Sequence, residues 1–329
     1  MFTPTRRGFI NGVDRIANSV IFAIGPVFIV LAIGLIGMAT LTYFTVVFPY
    51  FYQWDDDYIW TKFSYYAGLL FSIYMIVCIF FHYYMAIRTK PGGVLNAGTA
   101  ETESDDPTLQ ELFIELEEYQ VFPKTCKKCH LPKPERAHHC SVCKKCVLRF
   151  DHHCPWIANC VGHFNHRYFL LFMTYLVISC FYFVAVGWKV FLISLDFGVE
   201  WDYWMPRPYM ALTFLLAVAI GIALGGMCSW HYYLVLTSQT TVEFYNNQYA
   251  KRSAQQKGEV YVNPFDLGCL NNLRQFFNVG QNYKYPIYTI FLPIPISPPA
   301  FIYIRRNGLL GLNVSRQGFI RVDFFLKWY

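Results

Sequence analysis

The chain has 329 residues, of which 55% are hydrophobic and only 15% are charged, and its net charge is +6. Average soluble domains carry roughly a quarter charged residues, so this composition excludes an ordinary soluble enzyme and is typical of a membrane protein. Seven of the eleven cysteines fall between Cys126 and Cys160, which indicates one local cysteine-rich site and excludes a disulfide framework spread along the chain. The first twenty residues lack the short apolar core and cleavage site of a signal peptide, so the apolar run after them indicates a membrane anchor.

Four apolar stretches are long enough to cross a bilayer as helices, which takes about 20 residues each. They cover approximately residues 20–48, 63–87, 169–195 and 210–236. Buried helices of a large soluble core are the alternative, but the first two stretches carry no charge over a full span length. The sequence therefore predicts an α-helical integral membrane protein with four transmembrane helices.

The distribution of Lys and Arg predicts the orientation, because these residues collect on the cytoplasmic side. Residues 88–167 hold eleven of them and the tail from residue 238 holds ten, whereas each short connection between spans holds one. We therefore expect both termini and the cysteine-rich segment in the cytosol, with two acidic, aromatic hairpins on the lumenal side. The sequon at Asn313 lies in the tail, so it is expected to stay unglycosylated.

These assignments divide the chain into four regions. Residues 1–87 hold the N-terminus and two spans, 88–167 a linker helix and the cysteine-rich domain, 168–237 two more spans, and 238–329 the tail. The linker stretch TLQELFIELEEY (108–119) has one apolar helical face, which favours a surface helix over a partner-docking one. The tail stretch PIYTIFLPIPISPPAFIYI (286–304) is apolar but broken by prolines, so we expect it along the membrane surface or the domain rather than as a fifth helix.

The cysteine-rich segment has the spacing Cys-x2-Cys-x9-His-Cys-x2-Cys-x2-Cys-x4-Asp-His-His-Cys-x5-Cys from Cys126. Disulfides do not suit a reducing cytosolic segment. Paired Cys-x2-Cys spacings let two thiolates reach one tetrahedral ion. Mixed thiolate and imidazole ligands favour zinc over an iron–sulfur cluster. We therefore expect a two-zinc domain of short β-hairpins between the second and third spans.

A count of ligands leaves one cysteine over. Two sites of three cysteines and one histidine use six cysteines, and His139 and His153 are well-placed imidazoles. The natural pairs and the residues that can complete them are Cys126 with Cys129, Cys140 with Cys143, and then Cys146 and Cys160. The seventh, Cys154, follows Asp-His-His, and a carboxylate, an imidazole and a thiol together are the parts of an activated nucleophile. The alternative for Cys154 is a structural thiol or a ligand that exchanges into a metal site.

Basic side chains in the same segment raise a second possibility, because zinc with basic charge often indicates nucleic-acid binding. The spacing is not that of Cys2His2 fingers, however, and both ends of the domain lie within a few residues of predicted spans. We therefore expect membrane lipids or a phosphorylated ligand as partners, and no nucleic acid.

The stretch CKKCHLPKPERAHHCSVCKKCVLRFDHHCPWIANCVGHFNHRYF (126–169) resembles the cysteine-rich domain of the DHHC-type protein S-acyltransferases, or protein palmitoyltransferases. The resemblance extends to the four-span layout, the Thr-Thr-x-Glu element from Thr240 and the Asn-Pro-Phe element from Asn263, and it covers roughly residues 6–280. One departure is Lys90-Pro91-Gly92, where the family has Asp-Pro-Gly.

The resemblance implies a two-step transfer. Cys154 would take a long-chain acyl group from palmitoyl-CoA or another long-chain acyl-CoA and pass it to cysteine thiols of membrane-associated proteins. His152 would be the general base, oriented by Asp151. Two structural zinc ions would be held by Cys126, Cys129, His139 and Cys146, and by Cys140, Cys143, His153 and Cys160. The CoA phosphates would be bound by Lys133, Arg136 and His138.

Further expectations concern the surroundings of the thioester. Trp156 suits an interfacial position beside it, and Ser179 of the third span would face an acyl tunnel among the four helices. Thr241 and Glu243 would tie the end of the fourth span to the catalytic domain, and Asn263 would tie the tail to the helices. The rival hypothesis is a non-catalytic, zinc-binding membrane scaffold. The composition of the spans leans towards the endoplasmic reticulum or Golgi, whereas protein substrates and any accessory subunit cannot be named from the sequence.

Overall fold

The computed structural model describes residues 4–93, 124–281 and 283–298, together with the short strands at 313–314 and 320–321. The predicted linker helix at 108–119 lies outside the described residues. Contacts divide the chain into two compact units, one of residues 27–86 and 168–231 and the other of 1–26, 87–167 and 232–329.

Within the described residues, four helices are long and apolar enough to cross a membrane, which confirms the predicted fold class. They are Pro4–Thr42, Ile59–Arg88, His166–Leu195 and Arg207–Leu236, called span 1 to span 4 below. Span 1 continues through a π-helical turn, Tyr43–Val47, into the short helix Phe48–Phe51. Spans 2, 3 and 4 begin a few residues before their apolar runs, because helical hydrogen bonding continues where hydropathy falls.

The first unit contains the second part of span 1 and most of spans 2, 3 and 4. Its aromatic core includes Tyr43, Phe48 and Phe183. The Tyr43 hydroxyl lies 2.7 Å from Ser72 Oγ and 3.3 Å from the Tyr182 hydroxyl. Buried hydroxyls satisfy one another in this way because the apolar surroundings offer no water.

Residues 124–161 of the second unit carry three antiparallel β-hairpins, which confirms the prediction of short hairpins. They pair Lys124–Thr125 with Pro132–Lys133, His138–Cys140 with Lys145–Val147, and His152–Cys154 with Asn159–Val161. Residues with a left-handed backbone conformation occur at or beside the turns, among them Lys144 and Ala158. Each hairpin is too short to hold a core of its own, so metal or neighbouring elements must stabilise it.

The segment that follows span 2 is tied to these hairpins by its backbone. The Leu148 N–H donates to the Gly92 carbonyl at 2.8 Å, and Gly92 has a φ of 101°, which suits glycine. A Cβ on Gly92 would lie 2.9 Å from the Phe164 ring. The Pro-Gly pair is therefore used through its backbone, and these contacts do not depend on the side chain of Lys90.

The tail packs as two helices and an irregular segment. Helix Thr241–Gln256 starts at a capping box formed by Thr240 and Glu243. Asn263 Nδ2 donates to the Thr237 carbonyl at 2.8 Å, which confirms that it ties the tail to the end of span 4. Helix Cys269–Phe277 follows, and then a single 3₁₀ turn, Ile287–Ile290. Residues 291–298 are irregular, so no fifth helix forms within 286–298, as the prolines predict.

Candidate metal centres and reactive cysteine

Three cysteines and one histidine converge beside the second hairpin. They are Cys126, Cys129, His139 and Cys146, and their ligand atoms all lie within 4.8 Å of one another. His139 Nδ1 lies 2.9 Å from Cys129 Sγ, 3.8 Å from Cys126 Sγ and 4.0 Å from Cys146 Sγ. The register brings His139 directly opposite Cys146 on paired strands, so the hairpin supplies half of the cluster.

The third hairpin supplies half of a second cluster in the same way. His153 pairs with Cys160 across the strands, and both converge with Cys140 and Cys143. His153 Nδ1 lies 3.3 Å from Cys143 Sγ and 3.6 Å from Cys160 Sγ, and the two sulfurs are 3.4 Å apart. The repeated register explains why a His and a Cys seven positions apart recur in both hairpins.

Both clusters fit a tetrahedral ion. Zinc bound by sulfur at about 2.3 Å separates adjacent ligand atoms by about 3.5–3.8 Å, and the observed separations scatter around that range. Three thiols and one imidazole are a donor set that favours zinc. The clusters can therefore hold two metal ions, and each offers four protein ligands.

Cys154 belongs to neither cluster among the described residues. It is the last residue of the strand His152–Cys154 and is 4% exposed. Pro155 follows and opens a 3₁₀ turn that ends at Ala158, whose φ of 47° lies in the left-handed region. The strand and the turn therefore fix the backbone on both sides of this thiol, while the neighbouring Trp156 is 46% exposed.

Asp151 and His152 stand immediately before it. His152 Nδ1 lies 2.7 Å from Asp151 Oδ2. Burial alone would lower the pKa of His152, but the hydrogen bonds and charges of Asp151 and Cys154 raise it to about 9. The three residues therefore form a carboxylate–imidazole–thiol arrangement in which the carboxylate fixes the imidazole.

The Asp151 carboxylate is itself held by the tail. It is 1% exposed, and it accepts a hydrogen bond from the Thr241 N–H at 2.7 Å and another from the Thr241 hydroxyl at 2.9 Å. Thr241 is the first residue of helix Thr241–Gln256, so the carboxylate lies at a helix N-terminus, which favours negative charge. These hydrogen bonds confirm the prediction that Thr241 ties the end of span 4 to the cysteine-rich domain.

Arg136 is committed to a buried ion pair. Its Nε and Nη2 each lie 2.6 Å from an oxygen of Glu243, and Nη2 also donates to the Ser238 carbonyl at 3.0 Å. Burial raises the pKa of Glu243, but the charge and hydrogen bonds of Arg136 outweigh it and hold the pKa below its usual range. This pair confirms the tie predicted for Glu243.

Three of the predicted ligand-binding residues lie near one another. Burial lowers the pKa of His138, and the nearby charges of Lys133 and Arg136 lower it further. Lys133 and His138 are partly buried on the first and second hairpins. Ser179 lies on span 3, where its Oγ is buried and has no hydrogen-bond partner among the described residues. The site predictions for Lys133, Arg136, His138, Trp156 and Ser179 stay predictions, although the two partners of Arg136 make phosphate binding costly for that residue.

The sequence analysis did not predict two contacts that hold the hairpin of Cys154 in place. Asn159 Nδ2 donates to the carbonyls of Ile87 and Thr89 at 3.2 and 3.1 Å, which ties the hairpin to the end of span 2. Gly25 of span 1 is buried, and a Cβ placed on it would lie 2.8 Å from Ala158 Cβ. A glycine followed by proline within an apolar helix was the one signal that could have pointed to this close approach.

Comparisons with known proteins agree with this geometry. A family model described as DHHC palmitoyltransferase matches residues 120–248. Palmitoyltransferase ZDHHC16 of Mus musculus is 33% identical over 289 residues, which cover 84% of this chain and 73% of that protein. The probable protein S-acyltransferase 16 of Arabidopsis thaliana is 33% identical over 253 residues, which cover 77% of this chain and 84% of that protein.

Proposed function

The chain belongs to the DHHC palmitoyltransferase family of enzymes, and from that premise we propose that it moves a long-chain acyl group from acyl-CoA, through Cys154, to protein thiols. One observation carries the proposal. Of the seven clustered cysteines, six fall into two metal-binding groups, and the seventh lies beside a hydrogen-bonded Asp151–His152 pair.

The first step forms the acyl-enzyme. His152 takes the proton of the Cys154 thiol, and Asp151 keeps the imidazole in position through Nδ1. The thiolate attacks the thioester carbonyl of acyl-CoA, a new carbon–sulfur bond forms, and the bond to the CoA sulfur breaks. CoA leaves as the thiol after it takes the proton from His152.

The second step reverses these roles. A cysteine thiol of a membrane-associated protein gives its proton to His152 and attacks the acyl carbon. The bond to Cys154 breaks, and the Cys154 sulfur recovers the proton. A buried thiol excludes water from the thioester between the two steps, which favours transfer over hydrolysis.

We assign the two metal clusters a structural role. Each would hold zinc with three cysteines and one histidine, so no position is left open for substrate. The ions would fix the hairpins that carry His152 and Cys154, because two- and three-residue strands are too short to do so alone.

The predicted ligand-binding residues would each contact a different part of the acyl-CoA. Lys133 and His138 are the candidates for the CoA phosphates, whereas Arg136 is reassigned to the support of helix Thr241–Gln256 because Glu243 neutralises it. The acyl chain would lie among the spans with Ser179 facing it, because each buried methylene gains about 0.8 kcal/mol. Trp156 would lie beside the thioester at the membrane interface.

The proposed setting is an endomembrane, the endoplasmic reticulum or the Golgi, with the termini and the hairpin domain in the cytosol. The excess of Lys and Arg in residues 88–167 and in the tail supports this orientation.

The test is acylation of the purified full chain by labelled palmitoyl-CoA. We expect a label that hydroxylamine releases, that is lost in Cys154→Ser and that Cys180→Ser retains, since Cys180 lies in span 3. A zinc-binding scaffold predicts no label in any variant. Label that persists in Cys154→Ser would overturn the assignment of the acyl carrier.

A further inference from the structure

The tail exposes a continuous apolar surface after helix Cys269–Phe277. Its side chains are 37% to 63% exposed and belong to Ile287, Tyr288, Phe291, Leu292 and Ile294. No residue from 285 to 298 is charged. Contiguous exposed apolar patches of this kind mark an interaction surface for a protein or a membrane.

The backbone of the apolar surface is fixed by hydrogen bonds from neighbouring side chains. The Thr289 carbonyl accepts a hydrogen bond from Arg167 Nη2 at 3.1 Å, and the Ser297 carbonyl accepts one from Asn278 Nδ2 at 3.0 Å. Thr289 and Ile296 are 4% and 3% exposed, so the inward side chains are fixed while their neighbours point outward. The exposed face therefore belongs to an ordered segment that packs against the rest of the tail.

The residues that hold this apolar surface in place indicate what it contacts. Arg167 is the second residue of span 3, and it also donates to the Phe277 carbonyl. His166, one residue before it, contacts the Phe276 ring with centroids 5.1 Å apart. The apolar surface is thus fastened to the point where a membrane span begins, which is the depth of headgroups and upper acyl chains.

We propose that residues 287–294, called the tail anchor, insert their exposed side chains into the interface of the bilayer that the spans cross. Prolines at 293 and 295 keep the residues after the 3₁₀ turn out of regular helices and sheets. Aromatic and aliphatic side chains without charge suit this layer. The proposal is independent of whether Cys154 carries the acyl group.

The test places a photoreactive residue on the tail anchor of the full chain in lipid nanodiscs. Phe291→p-benzoylphenylalanine should form lipid adducts on illumination, as should the same replacement of Ile33, a 45% exposed residue of span 1. The matched control is Val260, which is 89% exposed and lies beside Glu259. We expect at least tenfold more lipid adduct at position 291 than at position 260.

Three outcomes decide the matter. Lipid adducts at 291, repeated with Tyr288→p-benzoylphenylalanine, support the tail anchor. Adducts to a second copy of the chain in place of lipid would overturn it in favour of a self-association surface. Absence of adducts at 288 and 291, while position 33 reacts, would show that neither lipid nor protein covers the surface, and would also overturn it.

Discussion

Thr241 donates both its backbone N–H and its hydroxyl to the carboxylate of Asp151, at 2.7 and 2.9 Å. The two residues are 90 positions apart, and the carboxylate also holds His152. The start of a tail helix therefore sets the orientation of the residue that orients the imidazole. Helix Thr241–Gln256 would therefore act on the proposed chemistry through Asp151.

Thr241→Val tests this relationship, because it keeps the shape of the side chain and removes the hydroxyl. A hydrogen bond to a charged group contributes about 1.5–3 kcal/mol, and part of that should be lost from the transition state. We expect the rate of acyl-enzyme formation to fall about tenfold with KM for palmitoyl-CoA unchanged. Thr45→Val is the control, since the Thr45 hydroxyl bonds to the Leu41 carbonyl of span 1. Equal rates in both variants would contradict the role given to Thr241.

The ion pair of Arg136 and Glu243 predicts a loss of stability rather than of substrate affinity. Removal of one partner of a buried pair leaves the other charge uncompensated, at a cost of about 3–5 kcal/mol. Arg136→Met and Glu243→Leu should each lower the unfolding temperature strongly. The double variant should lose less stability than the sum of the losses of the two single variants. Thermal unfolding measures this cycle.

The same variants separate two roles for Arg136. If Arg136 bound CoA phosphates, Arg136→Met would raise KM for palmitoyl-CoA and Glu243→Leu would not. The depressed pKa of Glu243 also predicts how stability depends on pH. The ionised carboxylate stabilises the folded protein above the unfolded-state pKa of about 4.3, and this contribution is lost as the pH falls through the pKa of Glu243 in the folded protein. The stability difference between the wild type and Glu243→Gln should therefore persist at neutral pH and shrink in acid.

The two metal clusters predict a zinc content that distinguishes ligands from the nucleophile. We expect about two zinc ions per chain by elemental analysis, and the same content in Cys154→Ser. Cys129→Ser should lose about one ion and make the hairpin domain susceptible to proteolysis, because metal binding and folding are coupled. Cys154→Ser with a reduced zinc content would place Cys154 among the ligands and contradict the division of the seven cysteines.

Gly25 and Ala158 predict a compensating pair. A Cβ on Gly25 would lie 2.8 Å from Ala158 Cβ, a distance at which the turn after Cys154 must shift. Gly25→Ala should slow acyl-enzyme formation several-fold. Ala158→Gly should restore most of the rate, because it removes the clashing atom and suits the left-handed φ of 47°.

Gly34→Ala is the matched control for this pair, since a Cβ placed on Gly34 of the same helix would meet no other described residue within 4 Å beyond the nearby backbone of its own helix. Its acylation rate should equal that of the wild type. If Gly34→Ala slowed the enzyme as much as Gly25→Ala, the effect would belong to span 1 in general and not to the contact with Ala158.

The elements that the sequence predicted are those with a strong local signal. Long apolar runs give the spans, and Cys-x2-Cys spacing gives the presence of metal sites, because ligand geometry constrains local spacing. The division of the ligands into two sets came from the family resemblance. The buried ion pair of Arg136 could not be predicted in this way. Its partner, Glu243, lies 107 positions away, and a basic residue in a basic stretch gives no local sign that it is already neutralised. The supports by Asn159 and Gly25 were missed for the same reason.

Ser179 provides the last prediction, on acyl-chain length. Its Oγ is buried on span 3 without a hydrogen-bond partner among the described residues, as expected if it borders space meant for an apolar chain. Ser179→Phe should shorten that space and move the preferred acyl-CoA by two or more methylenes towards shorter chains. Each methylene excluded from burial costs about 0.8 kcal/mol, or about fourfold in selectivity. Ser229→Phe is the control, because Ser229 is exposed on span 4 and bonds to the Gly225 carbonyl. Competition between acyl-CoAs of graded length measures the shift, and a profile identical in both variants would remove Ser179 from the proposed tunnel.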